Sequence, residues 1–294
     1  MPRIYGAFLF VHSKLITMTQ PFINKRFTHD QPYIMGILNV TPDSFSDGGL
    51  FVNKGPALSH VKQMIAEGAD IIDVGGESTR PGAIAVSADE ECQRVIPVIK
   101  AIREISDIPV SIDTSKSEVM REAVSAGASM INDVNALRSE NAVDIAAKLD
   151  VPVCLMHMQG EPRSMQHAPV YTDVVQEVKD FLIQRIEACL NAGIKRENLV
   201  IDPGFGFGKT LEHNLSLFKH LDKFTQLDVP LLVGVSRKSM IGAVLDNAST
   251  DDRLYGSVAL ATLAAWLGAG ILRVHDIKAT ADALKLCQAV RQSL

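Results

Sequence analysis

The sequence has little cysteine, and the cysteines it has are far apart. Only four occur in 294 residues, at Cys92, Cys154, Cys189 and Cys287, and no two of them form a Cys-x-x-Cys pair. This spacing excludes a zinc knuckle and gives no sign of a disulfide framework. We therefore predict reduced thiols in a cytoplasmic protein.

The sequence also lacks a long apolar run and an excess of basic residues. Its most apolar stretch, 258–271, has the length of a core helix rather than of a membrane span. The net charge of −5 argues against a broad nucleic-acid-binding face. Nucleic acid and membranes are therefore not expected partners.

The N-terminal residues differ from the rest of the chain. Residues 6–11 are apolar, but the run is too short for a secretory signal and no small-x-small cleavage site follows it. We interpret residues 1–30 as a weakly ordered N-terminal extension. Residues 31–294 are predicted to form a single domain with a sizeable core.

Eight short apolar runs, rich in Val and Ile, recur along this domain. They show little alternation, as expected of strands that are buried on both faces. The runs occupy 34–38, 71–74, 110–112, 130–131, 153–156, 199–201, 231–235 and 271–274. The candidate helices between and after them occupy 54–67, 88–105, 117–126, 141–148, 174–191, 211–221, 239–245 with 256–268, and 280–292.

Eight strand–helix units in this length are typical of an α/β fold, the (β/α)8 TIM barrel. The alternative is a doubly wound open sheet, whose dinucleotide fingerprint Gly-x-Gly-x-x-Gly would follow the first strand. Here the first strand is followed by NVTPDSFSDGG over residues 39–49, which lacks that fingerprint. We therefore predict the barrel.

Nearly every apolar run ends in a polar residue. In a barrel of this kind the carboxyl ends of the strands meet at one rim, where the active site lies. One such residue is expected wherever a strand meets a loop, but a full set converging on one rim indicates a site. The residues concerned are Asn39, Asp73, Asp113, Asn132 with Asp133, His157, Asp202, Ser236 with Arg237 and Lys238, and His275 with Asp276.

Spacing refines this expectation for two strands. Arg273 and His275 are two residues apart and so face the same way on a strand. Facing the barrel mouth, both could hold an anion, because the loops after strands 7 and 8 often bind phosphate in this fold. Asn132 and Asp133 are adjacent, so a regular strand directs only one of them inward, and the sequence leaves open which one.

A glycine-rich loop follows the sixth run and nearly matches a nucleotide-binding P-loop. Residues 202–210 read DPGFGFGKT, and the end Gly208-Lys209-Thr210 fits the P-loop pattern. Pro203, however, stands where the first glycine is required. This mismatch disfavours a P-loop and draws attention to Asp202 at the strand end instead.

Five segments together resemble the signatures of dihydropteroate synthases, a family of pterin-binding barrels. Residues 34–49 read IMGILNVTPDSFSDGG and are similar to the first signature, and residues 72–82 read IDVGGESTRPG and are similar to the second. The segments DPGFGFGK (202–209), VSRKS (235–239) and RVH (273–275) match in order. The resemblance covers about residues 31–292 and supports the single-domain barrel.

The resemblance implies a transferase that joins 6-hydroxymethyl-7,8-dihydropterin diphosphate to 4-aminobenzoate, releasing pyrophosphate in folate synthesis. It also implies Mg²⁺ as cofactor, a homodimer, and competition by sulfonamide drugs. Asp113, Asp202, Lys238, Arg273 and His275 would be the catalytic residues, with Asn39 as the magnesium ligand. The implied substrate-binding residues are Thr79, Arg80, Pro81, Asp113, Asn132, Met156, Asp202, Phe207, Ser236, Lys238, Arg273 and His275.

Three other functions compete with this one. A pterin-binding methyltransferase barrel would leave Arg273 and His275 without a purpose. A catalytically silent pterin-binding paralogue is disfavoured by the presence of Asn39, Arg273 and His275. The third is a P-loop nucleotidase, which Pro203 disfavours.

Overall fold

The computed structural model describes residues 32–40, 54–78, 82–83, 85–160, 165–166 and 168–293. The predicted N-terminal extension, residues 1–30, lies outside these ranges. Strands and helices alternate along the described chain, as the sequence predicts. None of the helices in the described ranges is long and apolar enough to cross a membrane.

Eight strands form one sheet in which all pairings are parallel. They are β1 Tyr33–Asn39, β2 Ile71–Gly75, β3 Val110–Asp113, β4 Met130–Asp133, β5 Val153–Met156, β6 Leu199–Asp202, β7 Leu232–Val233 and β8 Ile271–Val274. Chain neighbours pair from β1 to β6, and β1 also pairs with β8, which pairs with β7. An isolated parallel bridge between Ile201 and Leu231 joins β6 to the start of β7. This bridge completes the circle, so the sheet is a (β/α)8 barrel and not an open sheet.

Ten α-helices cover the outside of the barrel in the described part of the chain. They are α1 Lys54–Glu67, α2 Ala88–Ile105, α3 Ser117–Ser125, α4 Ala142–Leu149, α5 Val174–Asn191, α6 Leu211–Lys219, α7 Asp222–Thr225, α8 Ser239–Val244, α9 Leu254–Trp266 and α10 Ile277–Gln292. Short 3₁₀ turns at Arg196–Asn198 and Asp251–Arg253 precede β6 and α9. The apolar faces of strands and helices form one large core between the two layers.

Local signals position several helix ends. The hydroxyl of Ser87 accepts a hydrogen bond from the Glu90 amide and begins α2. Gly68 and Gly127 follow α1 and α3 with φ of 104° and 113°, a conformation that glycine adopts without steric penalty. These caps return the chain to the bottom of the barrel for the next strand.

The barrel interior has an apolar floor below a polar layer. Seven strands each contribute one buried side chain to the floor: Met35, Ile71, Met130, Cys154, Val200, Leu232 and Ile271. Because side chains alternate along a strand, the residues two positions later also face inward, nearer the carboxyl ends. These include Asp73, Asn132, Met156, Asp202, Gly234 and Arg273.

The seventh strand is shorter than predicted. The apolar run 231–235 suggests five residues, but the ladder covers only Leu232–Val233. The carbonyl of Val235 accepts a hydrogen bond from the Lys238 amide, and Arg237 has φ of 57°. The chain therefore turns away at Val235 and carries Ser236 and Lys238 over the barrel mouth.

Candidate active site

A pocket opens at the carboxyl ends of the strands, above the apolar floor. It combines carboxylates, cations, an amide and apolar side chains. Its lining residues are Asp113, Asn132, Val134, Met156, Asp202, Phe207, Gly234, Lys238 and Arg273. Seven of these were predicted from the sequence to bind substrate, and the structure brings them together. Val134 and Gly234 were not predicted.

An ion-pair cluster spans the pocket from β8 to β2 and β3. Arg273 Nε lies 2.6 Å from Asp73 Oδ2, and Arg273 Nη2 lies 2.7 Å from Asp113 Oδ2. The amide of Asn132 donates to the same Asp73 oxygen at 3.2 Å. One buried carboxylate therefore orients both a cation and an amide that line the pocket.

Burial and these neighbours change the proton affinities of the cluster. Burial raises the pKa of Asp113 to about 7, against the lowering effect of Arg273 and with a further increase from Asp73. Burial alone would lower the pKa of Arg273, but Asp73 and Asp113 raise it above its ordinary value. Arg273 is thus a permanent cation beside a carboxyl group that changes charge near neutral pH.

Asp202 and Lys238 form the second charged centre of the pocket. Asp202 Oδ1 accepts a hydrogen bond of 2.7 Å from the Gly204 amide. Lys238 Nζ donates to the Phe205 carbonyl and lies 4.8 Å from the centre of the Phe207 ring. Burial raises the pKa of Asp202, which Lys238 opposes, and burial lowers the pKa of Lys238 to about 8, which Asp202 opposes.

The glycine-rich loop after β6 differs from a nucleotide-binding P-loop. Gly204, Gly206 and Gly208 have φ of 70°, 82° and 61°, so all three lie in the left-handed region that favours glycine. In a P-loop the lysine reaches the phosphates. Here the ammonium of Lys209 is buried and donates to carbonyls of its own loop. The geometry therefore contradicts the nucleotidase alternative.

Three predicted residues lie on the rim above the pocket. Asn39 ends β1 and is exposed. Ser236 Oγ lies 3.1 Å from the backbone nitrogen of His275 and 3.1 Å from its Nδ1. The predicted substrate-binding residues Thr79, Arg80 and Pro81 lie outside the described residues.

The structure also resolves the choice between Asn132 and Asp133. Asn132 faces the pocket. Asp133 faces away and accepts hydrogen bonds of 2.7 Å from the amides of Asn135 and Leu137. Asp133 therefore shapes the loop after β4 instead of lining the site.

Asp73 supports the site, although the sequence analysis assigned it no role beyond its position at a strand end. It is fully buried, and it links Arg273 to Asn132 across the barrel. A carboxylate inside an otherwise apolar strand is the signal that marks it, because such a group needs a buried partner. Val134 and Gly234 carry no comparable signal, since neither residue type implies chemistry.

Comparisons with known proteins agree with this geometry. A family model described as pterin binding enzyme matches residues 35–275. The dihydropteroate synthase of Haemophilus influenzae is 55% identical over 266 residues, which cover 90% of this chain and 96% of that protein.

Two solved structures share the fold at high identity. The Yersinia pestis dihydropteroate synthase in complex with a sulfonamide drug has a TM-score of 0.86 and 50% identity, covering 90% of this chain and 96% of that one. The Xanthomonas albilineans dihydropteroate synthase with 4-aminobenzoic acid has a TM-score of 0.85 and 52% identity, covering 91% and 96%. The chain therefore belongs to the family of pterin-binding enzymes, among the dihydropteroate synthases.

Proposed function

We propose that this protein condenses (7,8-dihydropterin-6-yl)methyl diphosphate with 4-aminobenzoate, giving 7,8-dihydropteroate and pyrophosphate. The observation that carries the proposal is the single pocket in which Asp113, Asn132, Asp202, Lys238 and Arg273 converge. The relatives that share most of this chain are dihydropteroate synthases. Folate biosynthesis is therefore the process that the enzyme serves.

The polar groups of the pocket suit a flat pterin ring. A pterin edge presents adjacent N–H donors, and charge-assisted hydrogen bonds from such donors to a carboxylate are strong. Asp202 offers that carboxylate, held in place by the Gly204 amide. Lys238 and Asn132 supply donors for the ring carbonyl and a ring nitrogen. Met156 and Val134 provide apolar contacts for the ring faces.

Departure of the diphosphate requires stabilisation of negative charge. Arg273 supplies a permanent positive charge from the barrel interior, and His275 lies beyond it at the end of β8. Preorganised cations of this kind stabilise charge that develops in a transition state. We assign to these two residues the binding and stabilisation of the leaving group.

The methylene left behind is conjugated with the pterin and can carry positive charge. The carboxylates Asp113 and Asp202 line the same pocket and stabilise that charge. The aromatic amine of 4-aminobenzoate is neutral near pH 7 and needs no strong base. The reaction is therefore a dissociative substitution without a covalent enzyme intermediate.

Phe207, Ser236 and Lys238 form the side of the site assigned to 4-aminobenzoate, which is also where sulfonamides compete. Phe207 and Lys238 are in contact, and Ser236 is buried two residues before Lys238. Thr79, Arg80 and Pro81 complete this assignment by the family resemblance alone.

Mg²⁺ is assigned to the rim, with Asn39 as its protein ligand. Asn39 Oδ1 and Asp113 Oδ2 both face Gly75 at the end of β2, each 3.7 Å from the position that a Cβ would take there. No group of three His, Cys, Asp or Glu side chains in the described ranges is placed to hold a metal. Mg²⁺ fits such a site, because it usually binds one or two protein oxygens together with substrate phosphates. When bound, the ion would neutralise charge on the diphosphate.

Pyrophosphate release tests the proposed activity. Purified protein is incubated with the pterin diphosphate, with and without 4-aminobenzoate and with and without Mg²⁺. We expect release that requires both additions and is blocked by a sulfonamide. Well-folded protein that releases no pyrophosphate would refute the proposal, and release without 4-aminobenzoate would indicate a hydrolase.

A homodimer through α9 and α10 is part of the proposal. The outer surfaces of these two helices, which pack against each other, expose large apolar side chains. Tyr255 is 84% exposed, Leu263 51% and Trp266 50% on α9, while Leu286 is 71% and Val290 61% exposed on α10. Exposed large apolar side chains on two helices that pack together are typical of a protein interface.

Sedimentation tests the dimer. We expect a dimer for the parent protein and a monomer for Leu263→Glu. Val170→Glu is the control, because Val170 is 74% exposed but lies on a loop before α5. A parent protein that sediments as a monomer would contradict the homodimer.

We also assign the enzyme to the cytoplasm, since all four cysteines are free in the structure.

A further inference from the structure

Lys209 is a buried lysine whose side chain turns back into the loop that precedes it. Burial lowers the pKa of Lys209 well below its ordinary value, which Asp202 opposes, but the acceptors around its Nζ are those that the charged ammonium form requires. Its Nζ lies 2.8 Å from the Gly204 carbonyl, 3.0 Å from the Phe207 carbonyl and 2.9 Å from His157 Nδ1. Lys209 is only 3% exposed. An ammonium group has three N–H donors, and these three acceptors can take one each, while the His157 carbonyl lies farther away at 3.4 Å.

The neighbouring imidazole is an acceptor in this arrangement. Burial and the charge of Lys209 lower the pKa of His157 to about 2, so the ring is neutral. Its Nδ1 can then accept a hydrogen bond from the ammonium. The ring is fixed by an edge-to-face contact with Phe181, 4.9 Å between centres.

The loop therefore has the opposite polarity to a phosphate-binding loop. A P-loop directs backbone N–H groups at an anion. Here backbone carbonyls point at a cation supplied by the chain itself. Fixing the carbonyls of Gly204 and Phe207 fixes the turn between them, whose ends are also joined by a hydrogen bond of 3.2 Å.

This turn holds two groups of the pocket in place. The Phe205 carbonyl, in the middle of the turn, accepts a hydrogen bond from Lys238 Nζ. The Phe207 ring, at its end, lies 4.8 Å from the same nitrogen. The hydrogen bonds of Lys209 Nζ to the loop act on the site through its backbone. The charge of Lys209 also acts directly on Asp202, whose pKa it lowers.

We propose that Lys209 is a positioning residue for the second substrate. Its ammonium group fixes the turn from Gly204 to Phe207, and this turn places Phe207 and Lys238 where they contact 4-aminobenzoate. The inference rests on the proposed synthase function. Pterin recognition depends on this turn only in part, through Lys238 and the Gly204 amide that holds Asp202. Asp202 and Asn132 themselves are carried by strands β6 and β4.

Steady-state kinetics of Lys209→Met test the inference. Methionine keeps most of the side-chain volume and removes the three donors. We expect the KM for 4-aminobenzoate to rise about tenfold or more, the KM for the pterin diphosphate to rise less, and kcat to stay within about threefold of the parent value. A uniform change in all three constants, or no change, would overturn the inference.

Arg103→Met is the matched control. Arg103 is also a cation that caps three backbone carbonyls, those of Gly127 and Ser106 at 3.0 and 3.1 Å and that of Ile108. It lies at the opposite end of the barrel, before β3 and β4. We expect both variants to lower the Tm, but only Lys209→Met to change the KM for 4-aminobenzoate.

Two further measurements cover a Lys209→Met protein that does not fold. His157→Phe keeps the ammonium and the contact with Phe181 while removing one acceptor, and we expect a smaller rise in the same KM. Ethylammonium added to Lys209→Ala should lower that KM again, whereas tetramethylammonium, which has no N–H donor, should not. An unchanged KM in His157→Phe, or equal rescue by both ions, would overturn the inference. Inactive parent protein would instead refute the proposed function, and this inference with it.

Discussion

Replacing Arg273 by methionine removes the cation from a buried cluster of carboxylates. The guanidinium is the ion-pair partner of Asp73 at 2.6 Å and of Asp113 at 2.7 Å. Asp73 is fully buried, and its second oxygen has no hydrogen-bond partner in the described structure. Without Arg273, the folded protein would retain two carboxyl groups that share a low-dielectric space.

The size of the effect follows from the burial of the pair. Breaking a buried ion pair by removing one partner costs about 3–5 kcal/mol, because the remaining charge is left uncompensated. In a domain of this size each kcal/mol lowers the Tm by about 2–4 °C. We therefore expect the Tm of Arg273→Met to fall by about 6–20 °C at pH 8.

The loss should also depend on pH in a defined direction. Asp113 already has a pKa of about 7 in the presence of Arg273, and removal of the cation raises it further. A carboxyl group whose pKa is higher in the folded than in the unfolded state favours folding at low pH, and this stability is lost as pH rises through the folded pKa. The Tm difference between variant and parent should therefore be small near pH 5 and grow toward pH 8.

Thermal unfolding followed by circular dichroism measures these differences. Lys195→Met is the control, since Lys195 and Asp150 form an exposed ion pair at 2.9 Å and should contribute no measurable stability. Asp73→Asn combined with Arg273→Met should lose less than the sum of the single changes, because the two residues are coupled. A loss for Arg273→Met as small as that of the control, or one independent of pH, would refute the account of the cluster.

Two further predictions concern the pH profile and the glycine loop. A plot of kcat/KM for the pterin substrate against pH should be bell-shaped, falling below about pH 7 as Asp113 takes up a proton and above about pH 8 as Lys238 loses one. Lys238→Arg should abolish the decrease at alkaline pH. A flat profile would count against both assignments. Gly204→Ala should yield no folded protein, because its Cβ would lie 1.9 Å from the His157 carbonyl oxygen at a φ of 70°. Gly82→Ala is the control, with a similar φ of 80° but no atom of the described residues within 4 Å, and should cost only about 1–2 kcal/mol in a denaturant titration.

The barrel could be predicted from the sequence because its signals are local. Each buried strand is a short apolar run, nearly every run ends in a polar residue, and glycines such as Gly68 and Gly127 mark the helix ends. The charged pocket followed from the same pattern, since parallel strands bring their carboxyl ends to one rim. The family resemblance then gave roles to Asp202 and Lys238.

What could not be predicted depends on register and side-chain direction. The pairing of Asp73 with Arg273 joins residues 200 positions apart and requires the barrel to be closed first. The direction of the Lys209 side chain could not be predicted either, because the same Gly-Lys-Thr sequence in a P-loop places the lysine on a phosphate. The early end of β7 results from a turn whose Arg237 adopts a conformation that is uncommon for arginine.

The bridge between Ile201 and Leu231 gives the barrel a weak seam. It is the single ladder contact by which β6 meets the chain entering β7 in the described structure, whereas β1 and β2 are aligned over five residue pairs. Regions held by few hydrogen bonds open locally at lower free energy than the whole domain. Asp202 and Gly234 lie just beyond the two sides of this seam and both line the pocket. A substrate that contacts both would connect the two sides, so occupancy of the site would itself complete the weakest part of the barrel wall.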